Sequence, residues 1–393
     1  MKLRTRRLFA LSMTGALFLA ACGGGSDSAE EGASSGTTAK GGTAAAGEGV
    51  LSGVCPEKLV IQTDWNPESE HGGIYEMVGD GYKVDADKKI VTGPLVSGGK
   101  DTGVDIEIRT GGPAIGFQPV VSQMYQDKNI TFGYVYTDEA IQASGEQPTL
   151  SVFAGLDINP QIIMWDPATY PNVKKIGDLK ATGAKVRYFD GAAYMSFLVQ
   201  SGLLDKTQLD GSYDGTPSVF VSQKGKVAQQ GFASAEPYIY KNEVKEWGKD
   251  VAFQLVHDAG WQPYSGPLAI RTADLEKLAP CLKKFVPIAQ QAQVDYIKNP
   301  AETNKLILDL VGKYNTGWVY SQGVADFSVE QQKKLGLVGN GTNQTLGDHD
   351  LKRVEDLITK AVPIYTATGA KVKANLKPAD LVTNEFIDTS IKL

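Results

Sequence analysis

The sequence predicts an α/β protein that is built as two lobes with a cleft between them. Short apolar strands alternate with amphipathic helical segments in two successive sets, and a return strand near Leu268 follows the second set. The chain has 393 residues, of which 42% are hydrophobic, and this is enough for two cores. We expect residues 56–155 together with 270–393 to form lobe I, and residues 156–269 to form lobe II.

The N-terminus has the layout of a secretory signal. Four cationic residues, at positions 2, 4, 6 and 7, precede an uncharged apolar run over residues 8–21 that is short for a membrane span. The run ends in Leu19-Ala-Ala-Cys22, and small residues before a cysteine resemble the bacterial lipobox. We therefore expect residues 1–21 to be a signal peptide and Cys22 to carry lipid, which would anchor the exported protein to the outer face of the cytoplasmic membrane. The alternative is an ordinary signal cut near Ala21.

Residues 22–54 are predicted to be a disordered tether. The stretch is almost wholly Gly, Ser, Ala, Thr and Glu, so it lacks the apolar residues that a fold needs. About 30 such residues reach roughly 30 Å, which lets a folded body move over a membrane-bound partner. Removal of the signal lowers the formal net charge from −6 to −10, and this acidic balance argues against a nucleic-acid partner.

Two cysteines remain after Cys22 is assigned to lipid. Cys55 stands just before the first strand, and Cys281 follows Pro280 in a helical stretch. Because an exported protein enters an oxidising compartment, we expect a disulfide between Cys55 and Cys281. Two unpaired buried thiols are the alternative, since sequence cannot test the geometry of the pair.

The stretch from Leu59 to Val78 is predicted to run from a buried strand, through a polar loop, into a helix. Leu59-Val-Ile is apolar and β-branched, and Gly72-Gly73 precedes a helical pattern. Ligands of open α/β sheets lie beyond the carboxyl ends of strands, beside helix N-termini. Trp65, Glu68, Glu70 and His71 would lie there, unless the segment is an ordinary surface loop.

This loop carries a family resemblance. Trp65-Asn-Pro-Glu-Ser-Glu-His-Gly-Gly-Ile-Tyr75 resembles the W-x-P-x-x-E-H-G-G-x-Y segment of solute-binding proteins related to the thiamine-pyrimidine-synthesis proteins. Glu236-Pro-Tyr238 resembles a later cleft-facing segment of the same group. The resemblance implies a type 2 periplasmic-binding-protein fold and a receptor that delivers a small molecule to ABC permease subunits. The group includes receptors for pyrimidine vitamin precursors and, more distantly, for taurine, alkanesulfonates and nitrate.

One turn departs from the family pattern. Related receptors commonly have Gly-x-x-Asp-Phe-Gly where this chain has Lys128-Asn-Ile-Thr-Phe-Gly133, so the aspartate is missing.

Three local expectations concern lobe II. Glu236 precedes a proline, which favours an extended backbone that aims its carboxylate outward. Asp190 is expected to cap a helix over residues 195–200. Residues 219–221 are expected to form a strand of lobe II.

Twelve residues are candidates for ligand binding, as aromatic walls, polar contacts or a backbone N–H donor. For each aromatic residue, packing in a core is an equally good interpretation. The candidates are Trp65, Glu68, His71, Gly112, Tyr134, Asp157, Asn159, Tyr194, Glu236, Tyr238, Trp261 and Tyr264.

No pattern of a catalytic site is visible. The chain has three histidines, no His-Glu-x-x-His pair and no Gly-x-Ser-x-Gly elbow between a predicted strand and a predicted helix. Glu68, Glu70 and His71 are too close in sequence to converge readily on one metal ion, so we expect neither metal nor cofactor. The fungal pyrimidine synthases of the resembled group depend on a cysteine-rich motif that this chain lacks. We expect a monomeric binding protein, with an enzyme of pyrimidine metabolism as the alternative from another class.

The candidate residues also indicate the kind of ligand. Their carboxylates outnumber arginine and lysine, which favours a planar heteroaromatic with amino donors, such as a thiamine-pyrimidine precursor. An anion would require cationic or neutral donors instead. A receptor for a sulfonate, taurine or nitrate is the alternative.

Overall fold

Two β-sheets organise the computed structural model, which describes residues 49–393. The predicted signal peptide, the lipidation site at Cys22 and most of the predicted tether lie outside the described residues. The strands are β1 (Lys58–Gln62), β2 (Lys83–Asp85), β3 (Ile90–Ser97), β4 (Lys100–Arg109), β5 (Phe132–Tyr134), β6 (Thr149–Phe153), β7 (Gln161–Trp165), β8 (Val186–Arg187), β9 (Leu209–Asp210), β10 (Ala228–Phe232), β11 (Ala252–Leu255) and β12 (Leu268–Arg271).

Eleven α-helices occur in the described part of the chain. They are α1 (Gly72–Tyr75), α2 (Val120–Gln126), α3 (Thr137–Ala143), α4 (Leu179–Thr182), α5 (Ala193–Gln200), α6 (Ser218–Ser222), α7 (Glu236–Asn242), α8 (Leu275–Lys298), α9 (Ala301–Tyr314), α10 (Gln322–Lys334) and α11 (Leu351–Ala367). Within residues 49–393, none of these helices combines the length and the apolar character that crossing a bilayer requires.

The larger sheet has the strand order β2-β3-β4-β1-β5-β12-β6. Strand β1 is parallel to both of its neighbours, β4 and β5, whereas β12 is antiparallel to β5 and β6. Leu59, Val60 and Ile61 of β1 are all buried, as a strand covered on both faces requires. The polar segment after α1 forms a hairpin, in which β3 pairs antiparallel with β4.

The smaller sheet has the strand order β11-β7-β10-β8-β9. Our prediction of a strand over residues 219–221 is wrong, because these residues belong to helix α6. Phe220 is fully buried, while its two valine neighbours are only partly buried. One turn of helix is therefore enough to bury the single side chain that faces the core.

Two segments cross between the sheets, and Arg353 of α11 contacts both. The first crossing joins β6 to β7, and the second returns from β11 to β12, of which only Leu268–Arg271 is a strand. Arg353 Nη1 lies 3.0 Å from Asp157 Oδ1 on the first crossing. Its Nε and Nη2 donate to the carbonyl oxygens of Gln262 and Pro263 on the second, at 2.9 and 3.0 Å. The bounds of the two lobes stay a prediction.

The end of the predicted tether belongs to the folded body. Leu51 is fully buried, and its N–H donates to the carbonyl of Thr102 at 2.9 Å. The Gly49 N–H donates to the carbonyl of Asp101 at 3.0 Å. The prediction of disorder up to residue 54 is therefore wrong for residues 49–54. Leu51 stands at the end of the polar tract, and its apolar side chain packs in the core.

The predicted disulfide is present. Cys55 and Cys281 are bonded, with their Cα atoms 4.6 Å apart and a sequence separation of 226 residues. The bond joins the segment before β1 to helix α8, which packs against the larger sheet and against α1. It therefore closes residues 55–281, about two thirds of the described chain, into one loop.

We expect the oxidised protein to be two hydrogens lighter, by intact mass under non-reducing conditions, than the reduced protein. Replacement Cys55→Ser should lower the free energy of unfolding by about 2–5 kcal/mol, because the unfolded chain loses a long-range constraint. The double variant Cys55→Ser/Cys281→Ser is the control and should not respond to a reducing agent. Equal masses before and after reduction of the parent protein would contradict the bond.

Candidate functional site

A small cavity lies beyond the carboxyl end of β1 and has walls from both sheets. We call it cavity I, and its free volume is about 20 Å³, room for roughly one water molecule. Its polar and aromatic lining consists of Asp64, Glu68, Glu70, His71, Tyr134, Tyr136, Phe153, Phe232, Ser265 and Gln293. The cleft is therefore nearly closed at this point.

The loop that supplies the carboxylates is held from behind by the C-terminal helices. A Cβ atom at Gly72 would overlap the ring of Tyr296, and one at Gly73 would overlap the side chain of Gln293. Both contacts are with α8, so the two glycines allow helix α1 to approach that helix closely. The Ser69 N–H donates to the Tyr320 hydroxyl at 3.0 Å, which fixes the turn before α1.

Asp64 and His71 form the polar centre of cavity I. His71 Nε2 lies 3.0 Å from Asp64 Oδ1 and 3.8 Å from Glu68 Oε1. The Tyr136 hydroxyl donates to the other oxygen of Asp64 at 3.0 Å. The ring of Tyr134 meets the His71 ring edge to face, with centroids 5.1 Å apart. Asp64 thus has two partners, and Glu68 has only a distant one.

Glu70 joins the two sides of the cleft. Its Oε1 accepts a hydrogen bond from the hydroxyl of Ser234, which follows strand β10 of the smaller sheet. Three buried atoms of the cavity have no hydrogen-bond partner among the described residues: Glu70 Oε2, His71 Nδ1 and Gln293 Nε2. His71 and Gln293 are only 3% and 4% exposed. Buried polar atoms are normally satisfied, so these atoms are candidates for ligand contacts.

Burial raises the pKa of the cleft carboxyl groups. The pKa of Glu68 is well above its usual range, first because of burial and then because of the charges of Glu70, Asp64 and Glu236. Burial also raises the pKa of Glu70. The pKa of Glu236 rises to about 7 for the same reason, although the Phe232 N–H donates to its carboxylate at 2.6 Å. None of these three forms an ion pair with a lysine or arginine of residues 49–393.

A second cavity adjoins the first. We call it cavity II; its free volume is about 200 Å³, and Tyr136 lines both cavities. Trp261 Nε1 donates to Asp138 Oδ2 at 3.2 Å, and the Tyr194 hydroxyl donates to Gln230 Oε1 at 2.9 Å. The other polar or aromatic lining residues are Glu139, Gln142, Asn159, Gln161, His257 and Tyr365.

Of the twelve candidate residues, six line the two cavities and one lies beside them. Glu68, His71 and Tyr134 line cavity I. Asn159, Tyr194 and Trp261 line cavity II. Glu236 lies close enough for its charge to act on Glu68.

The other five candidates contact protein groups outside both cavities. The Trp65 ring covers Gly112, where a Cβ would lie 2.7 Å from Trp65 Cε3, and also contacts Phe117 and Trp318. Tyr238 packs against Phe327, with ring centroids 5.5 Å apart. The remaining two, Asp157 and Tyr264, contact Arg353, whose guanidinium lies 3.9 Å from the Tyr264 ring. Their roles in ligand binding stay predictions.

Two expectations about backbone geometry are wrong. Glu236 is the first residue of helix α7 and does not continue a strand, because Pro237 fits the first turn of a helix, where its missing N–H is not needed. Asp190 does not cap α5, whose preceding residue is Ala192 and whose start has no side-chain cap. From this helix start, the charge of Glu236 acts on Glu68 of cavity I.

The sequence reasoning missed Asp138, Glu139 and Tyr136. These residues directly follow β5, a neighbour of β1 in the sheet, so the rule that drew attention to the loop after β1 also applies to them. Gln293 and Tyr365 could not be found in this way, because they reach the cavities from helices far along the chain. No group of three or more His, Cys, Asp or Glu residues among residues 49–393 has the arrangement of a metal site.

The comparisons with known proteins define the fold. No family model and no curated sequence matches the chain. The nitrate-binding protein NrtA from Synechocystis PCC 6803 superposes with a TM-score of 0.53 at 10% identity, over 84% of this chain and 87% of that one. A putative periplasmic sulfonate-binding protein SsuA from Methylobacillus flagellatus KT gives 0.50 at 15% identity, over 84% and 92%. The chain therefore has the two-lobed α/β fold of periplasmic binding proteins.

The raised pKa of Glu236 predicts how the stability of the ligand-free protein depends on pH. A folded-state pKa of about 7, against 4.5 for an ordinary glutamate, means that this group contributes stability below about pH 4.5. The contribution is lost as the pH rises through 7. In melting curves between pH 5 and 8, Glu236→Gln should show a smaller fall in melting temperature than the parent protein, by at least about 2 °C.

Glu302→Gln is the matched control for this measurement. Glu302 is exposed on α9, away from the cleft, so its replacement should keep the pH dependence of the parent protein. Identical pH profiles of Glu236→Gln and the parent protein would show that Glu236 does not titrate in this range.

Proposed function

We propose that the chain is the extracytoplasmic solute-binding lipoprotein of an ABC importer. In this proposal it captures a small amino-substituted heteroaromatic, such as a thiamine-pyrimidine precursor, in the cleft between the sheets and delivers it to permease subunits. The observation that carries the proposal is the set of cleft carboxylates, Glu68, Glu70 and Glu236, none of which is paired with lysine or arginine in the described part of the chain.

A ligand with amino groups would satisfy these carboxylates. A buried carboxylate that has lost water is costly unless a donor meets it, and a charge-assisted hydrogen bond contributes about 1.5–3 kcal/mol. The unpartnered atoms of cavity I include an acceptor, Glu70 Oε2, and a donor, Gln293 Nε2. The edge of an aminopyrimidine presents an amino donor beside a ring-nitrogen acceptor. Such a ring could contact both residues, with Tyr134 and Tyr136 as aromatic neighbours.

The binding of this ligand would be coupled to closure of the cleft. Cavity I has room for roughly one water molecule, so a heteroaromatic ring must enter while the two sides are further apart. The contact between Glu70 and Ser234 joins the loop after β1 to the turn after β10. A ligand that touches both sides binds the closed form better and shifts the population toward it.

An anionic ligand is the principal alternative. Nitrate and sulfonate are named for the two superposed proteins, but at 10% and 15% identity these proteins support the fold rather than the ligand. Neither lysine nor arginine lines cavity I or cavity II in the described structure. An anion placed beside Glu68 or Glu139 would add repulsion to the cost of desolvation.

The alternative from another class is an enzyme of pyrimidine metabolism. Such an enzyme would convert the bound molecule into a product, whereas a receptor releases it unchanged.

Calorimetry should show binding of 4-aminopyrimidine and no heat with nitrate or taurine. Glu68→Gln and Glu236→Gln should each weaken the binding by tenfold or more, because each removes a charged acceptor for the amino group. Glu302→Gln is the control and should bind as the parent protein does. Tight binding of nitrate or a sulfonate with no response to aminopyrimidines would overturn the ligand class, and turnover of the ligand would overturn the receptor assignment.

Lipidation of Cys22 is tested by cell fractionation in a bacterial host. The variant Cys22→Ser should move from the membrane fraction to the soluble fraction, because it lacks the thiol that accepts lipid. Ser26→Ala lies in the same stretch, keeps Cys22 and should stay with the membrane. A Cys22→Ser protein that remains bound to membranes would contradict the anchor.

A further inference from the structure

Cavity II is large enough for part of a ligand, and one of its lining residues has a buried polar atom without a partner among the described residues. Its free volume of about 200 Å³ is ten times that of cavity I. Tyr365 of α11 lines it and is only 5% exposed. The Tyr365 hydroxyl forms no hydrogen bond with a described residue, and His257 Nδ1, in another residue of the lining, is buried without a hydrogen-bond partner among the described residues. Buried polar atoms usually have a partner, so His257 Nδ1 indicates that something polar occupies the cavity.

The carboxyl groups that line cavity II have no cationic partner among the described residues. Asp138 accepts hydrogen bonds from Trp261 Nε1 and from the backbone N–H of Glu139. Glu139 forms no ion pair with any residue of 49–393. Burial, followed by the charges of Asp138 and Asp64, raises the pKa of Glu139 to about 8. The nearby His257 supplies no positive charge at neutral pH, because burial lowers its pKa to about 4.

Cavities I and II form adjoining parts of one cleft. Tyr136 lines both of them, and its hydroxyl binds Asp64 of cavity I. Pro160 lines cavity I, while its two chain neighbours, Asn159 and Gln161, line cavity II. The charge of Asp64 also acts on Glu139, so the two groups of carboxylates are close in space. A single ligand can therefore reach both.

We propose that the ligand of the cleft is elongated and carries two separate amino or cationic groups, one bound in cavity I at Glu68 and Glu70 and the other in cavity II at Glu139, with Tyr365 as a further polar contact. This inference rests on the proposed receptor function and extends it to the class of ligand. The first group meets the carboxylates beyond β1, and the second meets those beyond β5. The ends of these two neighbouring strands of one sheet thus set the spacing of the two groups on the ligand.

Simple amines test this inference by calorimetry. The probes are 1-aminobutane, which has one cationic group, and the diamines 1,4-diaminobutane, 1,5-diaminopentane and 1,6-diaminohexane, which have two. We expect at least one diamine to bind tenfold or more tightly than 1-aminobutane, because its second ammonium reaches Glu139. One chain length should bind best, since the two groups of carboxylates are a fixed distance apart.

Variants locate the second contact. Glu139→Gln should reduce the affinity for the best diamine to that of 1-aminobutane and leave the affinity for 1-aminobutane unchanged. Glu146→Gln is the matched control, because Glu146 is exposed just after α3 and pairs only with Lys371 among the described residues. Tyr365→Phe should weaken the diamine by a smaller factor. Unchanged binding of 4-aminopyrimidine by Glu139→Gln would show that this variant folds.

The outcomes separate this inference from the proposed function. If diamines bind no more tightly than 1-aminobutane, or if Glu139→Gln weakens both kinds of probe equally, the two-group ligand is wrong. The receptor proposal then stands as long as 4-aminopyrimidine binds and Glu68→Gln weakens it. If 4-aminopyrimidine and all the amines give no heat, both proposals are overturned.

Discussion

The cleft depends on one physical constraint, the burial of carboxyl groups that have lost water without gaining a cationic side chain. Moving a carboxylate out of water costs several kcal/mol unless other groups replace the lost hydrogen bonds. The protein offers neutral donors instead: the Tyr136 hydroxyl to Asp64, the Ser234 hydroxyl to Glu70 and the Phe232 N–H to Glu236. These donors leave some carboxylate oxygens without a hydrogen bond, and a ligand can supply the missing donors.

Such a cleft requires a rigid frame, because free side chains would turn toward water. The frame comes largely from the C-terminal helices, which pack behind the loop after β1 and leave room only for glycine at Gly72 and Gly73. The Cys55–Cys281 bond attaches helix α8 to the start of the body. Arg353 contacts both segments that cross between the sheets, so one side chain holds the two connections together.

The charge of the cleft also gives a reason for the link between ligand and closure. With the cleft closed and no ligand present, burial raises the pKa of Glu68, Glu70 and Glu236, and repulsion from neighbouring carboxylates adds to the rise for Glu68 and Glu236. A ligand with amino groups removes the repulsion only when both sides of the cleft are close enough to contact it. The closed form would thus become favourable when a suitable ligand is present.

The sequence was sufficient to predict the α/β class, strand β1 and the polar loop that contains Glu68 and His71, because hydrophobic period and turn residues are local signals. It also predicted the Cys55–Cys281 bond, because only two cysteines remain in an exported chain after Cys22 is assigned to lipid. Tertiary structure decided what the loop faces. Gln293 of α8 and Tyr365 of α11 line the cavities, whereas the Trp65 ring packs against Gly112 outside them. Residues 218–222 form a helix although their β-branched run favours a strand, and Phe220 is the one residue of this helix that is buried in the core. These choices depend on packing between segments that are distant in sequence, and a local pattern does not contain that information.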